Sequence, residues 1–78
     1  MKIFVENIPP TATEKQIRKF FNKYGIVGKI KMNSNYLEDK INYCFLEMPF
    51  NDQAIIAVRE SHGQDIDGLT IKVKESVT

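Results

Sequence analysis

Residues 41–48, with the sequence INYCFLEM, form the segment of this 78-residue chain that decides the fold. Successive side chains of an extended chain point to opposite sides, so the segment divides into two alternating sets: Tyr43, Phe45 and Glu47, and Cys44, Leu46 and Met48. The second set is entirely apolar and is expected to face a core, whereas the first leaves two aromatic rings on the other side. Pro49 follows directly and ends the predicted strand, because proline has no N–H to donate to a ladder.

Three more predicted strands and two predicted helices surround this segment. Residues 2–6, 27–32 and 69–74 are short, rich in β-forming residues and alternate in polarity, which is typical of strands with one buried side. Helical patterns occupy the interval after the first strand and the interval after the third. The predicted order of elements is therefore β-α-β-β-α-β.

The first helix is predicted from a capping signal followed by an apolar stripe. Thr13 and Gln16 have the spacing of a capping box, in which each side chain bonds to the backbone N–H of the other residue. Residues at i, i+3, i+4 and i+7 then share one helical face: Ile17, Phe20, Phe21 and Tyr24. Gly25 is expected to end the helix in the left-handed conformation.

The second helix is predicted between Asn51, a residue suited to an N-cap, and Gly63. Its inner face is narrow and built from small residues, which allow close packing on a sheet: Ala54, Ala57, Val58 and Ser61. Ile56 falls roughly opposite that face and is expected to be exposed, with Ile55 at the margin. A weak contact with a partner protein through these two residues is left open.

This order of elements predicts an α+β fold of the ferredoxin-like, or split βαβ, type. Right-handed crossovers place both helices on one face of a four-stranded antiparallel sheet of strand order 4-1-3-2. The other face of the sheet remains open to solvent. A chain of 78 residues that is 42% hydrophobic and 27% charged is expected to form one domain, residues 1–78.

Composition excludes several classes of protein. Cys44 and His62 are the only cysteine and the only histidine, so the sequence predicts no internal disulfide, no structural metal site and no cofactor. No apolar run is long enough to span a membrane and no secretion signal is visible, so we expect a cytoplasmic protein, or a nuclear one in a eukaryote. The net charge of +1 is too small to hold nucleic acid by charge alone.

The open face of the predicted sheet combines aromatic rings with lysines. Alternation assigns Phe4 to the same side as Tyr43 and Phe45. Rings left in solvent indicate a partner that covers them, and each base stacked on such a ring contributes about 1–3 kcal/mol. Five lysines are assigned to the same side, where they can follow a phosphate backbone: Lys2, Lys29, Lys31, Lys72 and Lys74.

Two of the predicted strands resemble the paired motifs of a known family. Residues 3–8, IFVENI, resemble the RNP2 hexamer of the RNA recognition motif, and residues 41–48 resemble its RNP1 octamer. The resemblance covers essentially the whole chain and implies a non-catalytic domain that binds single-stranded RNA, with single-stranded DNA left open. It also implies that Phe4, Tyr43 and Phe45 stack on bases and ribose. The small size of the chain is similar to that of single-domain RNA-binding proteins of bacteria.

On this interpretation the five lysines hold the RNA backbone, while Asn7, Asn33 and Glu75 hydrogen-bond base edges.

The octamer departs from the family pattern K/R-G-F/Y-G/A-F-V-x-F/Y at several positions: Ile41, Asn42, Cys44 and Met48. The absence of a basic first residue, with Lys40 one position early, is expected to remove one phosphate contact and weaken binding.

Two other functions are weighed against RNA binding. A protein-interaction module of the same fold would use the aromatic sheet face or the surface around Ile55 and Ile56, and it would not bind RNA in a salt-dependent way. An enzyme on this scaffold, such as an acylphosphatase, would need an arginine-bearing phosphate loop after the first strand. Residues 7–10, NIPP, contain no arginine, and no Ser, His and carboxylate set indicates catalysis.

Overall fold

The computed structural model describes residues 1–33 and 42–77, and within them it contains two helices and six strands. In chain order these elements are β1 (Lys2–Ile8), α1 (Glu14–Asn22), β2 (Ile30–Asn33), β3 (Asn42–Glu47), α2 (Asn51–Ser61), β4 (Asp65–Ile66), β5 (Leu69–Thr70) and β6 (Lys72–Ser76). One antiparallel sheet has the order β2-β3-β1-β6, and β4 and β5 form a separate hairpin. Apart from that hairpin, the predicted element order and sheet order are confirmed.

The register of β1 with its two neighbours separates an aromatic side of the sheet from an apolar side. Phe4 lies opposite Phe45 of β3 and Lys74 of β6. One residue further along, Val5 lies opposite Cys44. Because paired residues of an antiparallel ladder share a side, the rings and the lysine point one way and the buried residues the other.

The core lies between the sheet and the two helices. Its largest fully buried side chains are Ile3, Val5, Ile8, Ile17, Phe21, Cys44, Leu46, Met48 and Ile71. From α2, Ala54, Ala57 and Ser61 face the sheet, and the Ser61 hydroxyl donates to the carbonyl oxygen of Ala57 at 2.6 Å. Small residues on this face allow the helix to lie close to the strands.

The capping box at the start of α1 is confirmed, but the predicted helix end at Gly25 is wrong. Thr13 Oγ1 accepts from the Gln16 N–H at 3.2 Å, and Gln16 Oε1 accepts from the Thr13 N–H at 3.0 Å. The helix ends at Asn22, with right-handed Lys23 as its C-cap. A Cβ at Gly25 would overlap the side chain of Gln53, so its lack of a side chain permits a close approach to α2.

The start of α2 also differs from the sequence prediction. Phe50, rather than Asn51, occupies the N-cap position in an extended conformation, and no side-chain hydrogen bond caps the helix. The chain enters the helix one residue early, directly after Pro49. At the other end, His62 Nδ1 accepts from the Val73 N–H at 3.0 Å and ties the helix end to β6.

The predicted strand over residues 69–74 is divided in two. Asp67 and Gly68 both have positive φ, 49° and 87°, which is typical of the tight type I′ turns that join short antiparallel strands. Across this turn, Leu69 pairs with Ile66 and Thr70 pairs with Asp65. Ile71 exchanges backbone hydrogen bonds with residues 63 and 64. The edge strand β6 therefore begins only at Lys72.

The capping box offers a test of how much local structure contributes to stability. Thr13→Ala removes the acceptor for the Gln16 N–H, and we expect the free energy of unfolding to fall by about 1 kcal/mol. Thr13→Ser keeps the hydroxyl and should stay close to the parent in a urea titration. Equal losses for both variants would show that the hydroxyl contributes nothing.

Burial raises the pKa of the Cys44 thiol to about 12, because the charged thiolate would lose its hydration in the core. Since the thiolate is the reactive form, we expect a disulfide reagent at pH 8 to leave the folded protein unmodified. In strong denaturant the same thiol should react at once. Fast, complete modification of the folded protein would place Cys44 at the surface instead.

Candidate nucleic-acid interface

Phe4, Tyr43 and Phe45 form one cluster on the side of the sheet away from the helices, here called the open face. Ring centroids are 5.0 Å apart for Phe4 and Phe45, 5.5 Å for Phe4 and Tyr43, and 5.9 Å for Tyr43 and Phe45. The ring planes are tilted, and the two rings on β3 meet edge to face at 88°. Each ring is partly exposed, so mutual packing stabilises the cluster without closing it to a ligand.

Two lysines lie beside these rings. Lys2 Nζ is 5.6 Å from the centroid of Phe45, and Lys74 Nζ is 5.5 Å from the centroid of Phe4. The ring quadrupole attracts an ammonium group at such distances. Each lysine therefore places a positive charge over one of the rings of the open face.

A groove of about 220 Å³ runs beside Phe45 and is lined by Lys2, Lys29, Lys31, Phe45 and Glu47. Lys31 of β2 lies opposite Phe45, and Lys2 of β1 lies opposite Glu47. Ahead of β2, the carbonyl oxygen of Lys29 accepts from the Glu47 N–H at 2.9 Å, which brings Lys29 alongside. The groove is smaller than the roughly 300–1,000 Å³ of enclosed small-molecule pockets and suits a flat group laid on the surface.

Lys72 also lies on the open face, but in a different electrostatic setting. It is opposite Glu6 of β1, which is in turn opposite Tyr43. The Glu6 carboxylate offsets the positive charge at this end of the sheet. In the groove beside Phe45, three lysines share the single carboxylate of Glu47, whereas Lys72 alone lies opposite Glu6. Lys72 is therefore expected to attract a phosphate less strongly than the lysines near Phe45.

Asn33 and Asn7 occupy unlike positions. Asn33 ends β2 opposite Tyr43, on the open face. Asn7 lies where the register of β1 and β3 shifts, has a φ of 64°, and donates from Nδ2 to the carbonyl oxygen of Thr70 at 2.8 Å. Asparagine is among the few residues that tolerate this left-handed conformation, so Asn7 has a structural task at the end of the strand.

Glu75 is not brought to the open face, and its contact with a base edge stays a prediction. It lies opposite Ile3, whose side chain is buried on the helix side. The edge strand continues to Ser76 instead of ending near Lys74, so alternation turns Glu75 away from the rings. Ser76, opposite Lys2, takes the place on the open face.

The family model of the RNA recognition motif matches residues 3–72. This chain belongs to the RNA recognition motif family. It is 34% identical over 68 residues to the RNA-binding protein with serine-rich domain 1 homolog of Schizosaccharomyces pombe, covering 85% of this chain and 28% of that protein. It is 32% identical over 76 residues to probable RNA-binding protein 19 of Homo sapiens, covering 96% of this chain and 8% of that protein. The chain thus spans less than a third of either relative.

A solved structure agrees with this assignment of fold. The Rna15 RRM with bound RNA (GU) has a TM-score of 0.84 and 24% identity, and the match covers 99% of this chain and 83% of that chain. In this chain, the segment resembling RNP2 lies on the central strand β1, and the segment resembling RNP1 lies on its neighbour β3. The two motifs are adjacent in the sheet although far apart in sequence.

Two of the departures from the RNP1 pattern fall on the inner side of the sheet. Cys44 and Met48 are fully buried, so they change the packing of the core and leave the open face unaltered. Asn42 is partly exposed opposite Ile8. Ile41, the first residue of the octamer, lies outside the described residues, as does Lys40.

Glu47 is the one residue of this groove for which the sequence predicts no role. Its position two residues after Phe45 on a strand was the available signal, since residues i and i+2 share a side.

Within residues 1–33 and 42–77, no three His, Cys, Asp or Glu side chains are grouped so as to hold a metal ion. Neither helix in those ranges is long and apolar enough to cross a membrane.

The structural task of Asn7 can be separated from a contact with RNA. Asn7→Ala loses the bond to Thr70 and retains a Cβ at a left-handed φ, and we expect it to lower the free energy of unfolding by about 1–3 kcal/mol. Asn7→Gly loses the same bond without the steric cost, so its loss should be smaller in the same urea titration. Unchanged stability of Asn7→Ala, together with weakened RNA binding, would contradict the structural task.

Proposed function

We propose that this domain binds single-stranded RNA across the open face, without catalysis, by stacking bases on Phe4, Tyr43 and Phe45 and holding phosphates with the surrounding lysines. The observation that carries the proposal is the cluster of three partly exposed rings whose centroids lie within 6 Å of one another, with lysines at its margin. Membership of the family and the names of the relatives support RNA binding.

Stacking accounts for the exposure of the rings. Three aromatic side chains at an unshielded sheet surface gain only part of the free energy that full burial would give them. A base laid on a ring removes more apolar surface from water and adds about 1–3 kcal/mol, whatever the base. Phe4 and Phe45 lie side by side on neighbouring strands, so they can receive consecutive bases of one RNA strand.

The lysines supply the complementary contacts to the backbone. Their positions around the rings create local positive charge in a protein whose net charge is only +1. Lys74 lies opposite Phe4 and Lys31 lies opposite Phe45, while Lys2 Nζ is 5.6 Å from the centroid of Phe45 and Lys29 lines the groove beside it. We propose that Lys72 contributes less, because Glu6 lies opposite it.

The biological setting is proposed on coarser grounds. The two relatives are eukaryotic RNA-binding proteins by name, and the domain accounts for a small part of each. We propose a site of action in the cytoplasm or the nucleus. Because stacking does not require a ribose 2′-hydroxyl, single-stranded DNA is proposed as a weaker second ligand.

A protein contact through α2 is a second candidate function. Ile55 and Ile56 are 48% and 49% exposed, which agrees with the expected exposure of Ile56 and places Ile55 further out than the margin. Ile26 and Phe50 are also about half exposed. Such a contact would lie on the helix side of the domain, so it would be compatible with RNA on the open face.

Aromatic substitutions test the stacking contribution. Phe4→Ala and Phe45→Ala should each weaken binding to a randomised single-stranded RNA pool by about 5- to 150-fold, the loss of one stacked base. Phe50→Ala is the matched control, since Phe50 is 50% exposed at the start of α2, and its affinity should stay within about twofold of the parent. Circular dichroism verifies that each variant is folded. Equal binding by all these proteins would rule out stacking on the open face.

Salt dependence tests the contribution of the lysines. For single-stranded nucleic acid, the slope of log K against log salt is about −0.7 for each phosphate contact. Lys31→Gln and Lys74→Gln should each make the slope shallower by about 0.7, while Lys72→Gln should change it less. A slope near zero for the parent would favour the protein-interaction function.

A further inference from the structure

The groove beside Phe45 combines hydrogen-bond donors, an acceptor and an aromatic plane. Lys2, Lys29 and Lys31 can only donate, whereas the carboxylate of Glu47 can only accept. A site for phosphate alone has no use for the carboxylate, which would repel it. We propose that this groove is a base-selective subsite that prefers guanine, an inference that rests on the proposed RNA binding.

The positions of the lining residues fit the edge of a base stacked on Phe45. Glu47 lies two residues further along β3 on the same side, so its Cα is about 6.8 Å beyond that of Phe45. Lys31 lies directly opposite Phe45 on one neighbouring strand, and Lys2 projects from the other with its ammonium 5.6 Å from the ring centroid. The base would meet a carboxylate along the strand and ammonium groups across it.

Guanine is the base whose edges match this set of groups. Its N1–H and its N2 amino group are adjacent donors, and each can donate a hydrogen bond to one oxygen of the same carboxylate. Its O6 and N7 accept hydrogen bonds from lysine. Adenine and cytosine place an unprotonated ring nitrogen beside their amino group, so one carboxylate oxygen would face a lone pair. Uracil offers only one N–H between two carbonyl groups.

A simpler explanation is that Glu47 serves only as a cross-strand partner of Lys2, which lies opposite it. Opposite charges at paired positions of a sheet stabilise the pairing slightly. That explanation predicts that replacing Glu47 alters stability and overall affinity but not the relative affinity for the four bases. The two explanations therefore differ in a ratio that can be measured.

The test uses four five-nucleotide RNAs, UUGUU, UUAUU, UUCUU and UUUUU, titrated against the parent, Glu47→Gln, Glu6→Gln and Phe45→Ala. The parent should bind the guanine RNA about tenfold more tightly than the adenine and cytosine RNAs. In Glu47→Gln that ratio should fall to within about threefold, even if the lost negative charge raises the affinity for all four RNAs. Glu6→Gln removes a carboxylate on the same face, opposite Tyr43, and should keep the preference.

The outcomes separate this inference from the proposed function. Equal affinity of the parent for all four RNAs, with every affinity reduced by Phe45→Ala, would overturn the guanine subsite and leave stacking intact. A guanine preference that survives in Glu47→Gln would also overturn it. Failure of the parent to bind any of the RNAs or the randomised pool would overturn the proposed function itself.

Discussion

The strict alternation of side chains along β1 and β3 is the constraint on which the rest of the structure depends. Each of these central strands supplies the core from one side and the open face from the other, so Phe4 stands between buried Ile3 and Val5. The pairing of Phe4 with Phe45 holds the two motifs in register. A slip of one residue would bury the rings and expose the aliphatic side chains, which makes the register costly to change.

The open face leaves aromatic rings partly exposed and surrounds them with charged side chains. Partly exposed rings forgo some of the stabilisation that burial would give, and the contacts among the three rings recover only part of it. Lysines around the rings and the carboxylates of Glu6 and Glu47 give this face a charge pattern that the net charge of +1 conceals. Uneven placement of these charges distinguishes the groove beside Phe45 from the end of the sheet near Lys72.

Local patterns in the sequence were sufficient to predict the fold. Alternation in residues 41–48 predicted the two sides of β3, the Thr13 and Gln16 spacing predicted the capping box, and the helix face containing Ala54 and Ala57 is buried as expected. These features depend on residues only a few positions apart. Alternation also grouped Phe4 with Tyr43 and Phe45, and the register of the sheet brings these three residues together. The resemblance to the paired motifs added only the expectation that they stack on bases.

The features that could not be predicted depend on contacts between distant parts of the chain. Gly25 is required by the approach of Gln53, and Asn7 is held by the backbone of Thr70 across 63 positions of sequence. The orientation of Glu75 depends on how far β6 continues beside β1, which the alternation of its own residues does not reveal. The groove containing Glu47 likewise exists only because three strands lie side by side.

The central claim is that the three rings of the open face contact bases directly. The most direct measurement is NMR of the domain bound to a short single-stranded RNA, recording nuclear Overhauser effects between aromatic ring protons and base protons. The account predicts such effects for Phe4, Tyr43 and Phe45, with base protons shifted upfield by the rings. Ring protons unaffected by RNA, with changes confined to the surface of α2 around Ile55 and Ile56, would contradict it.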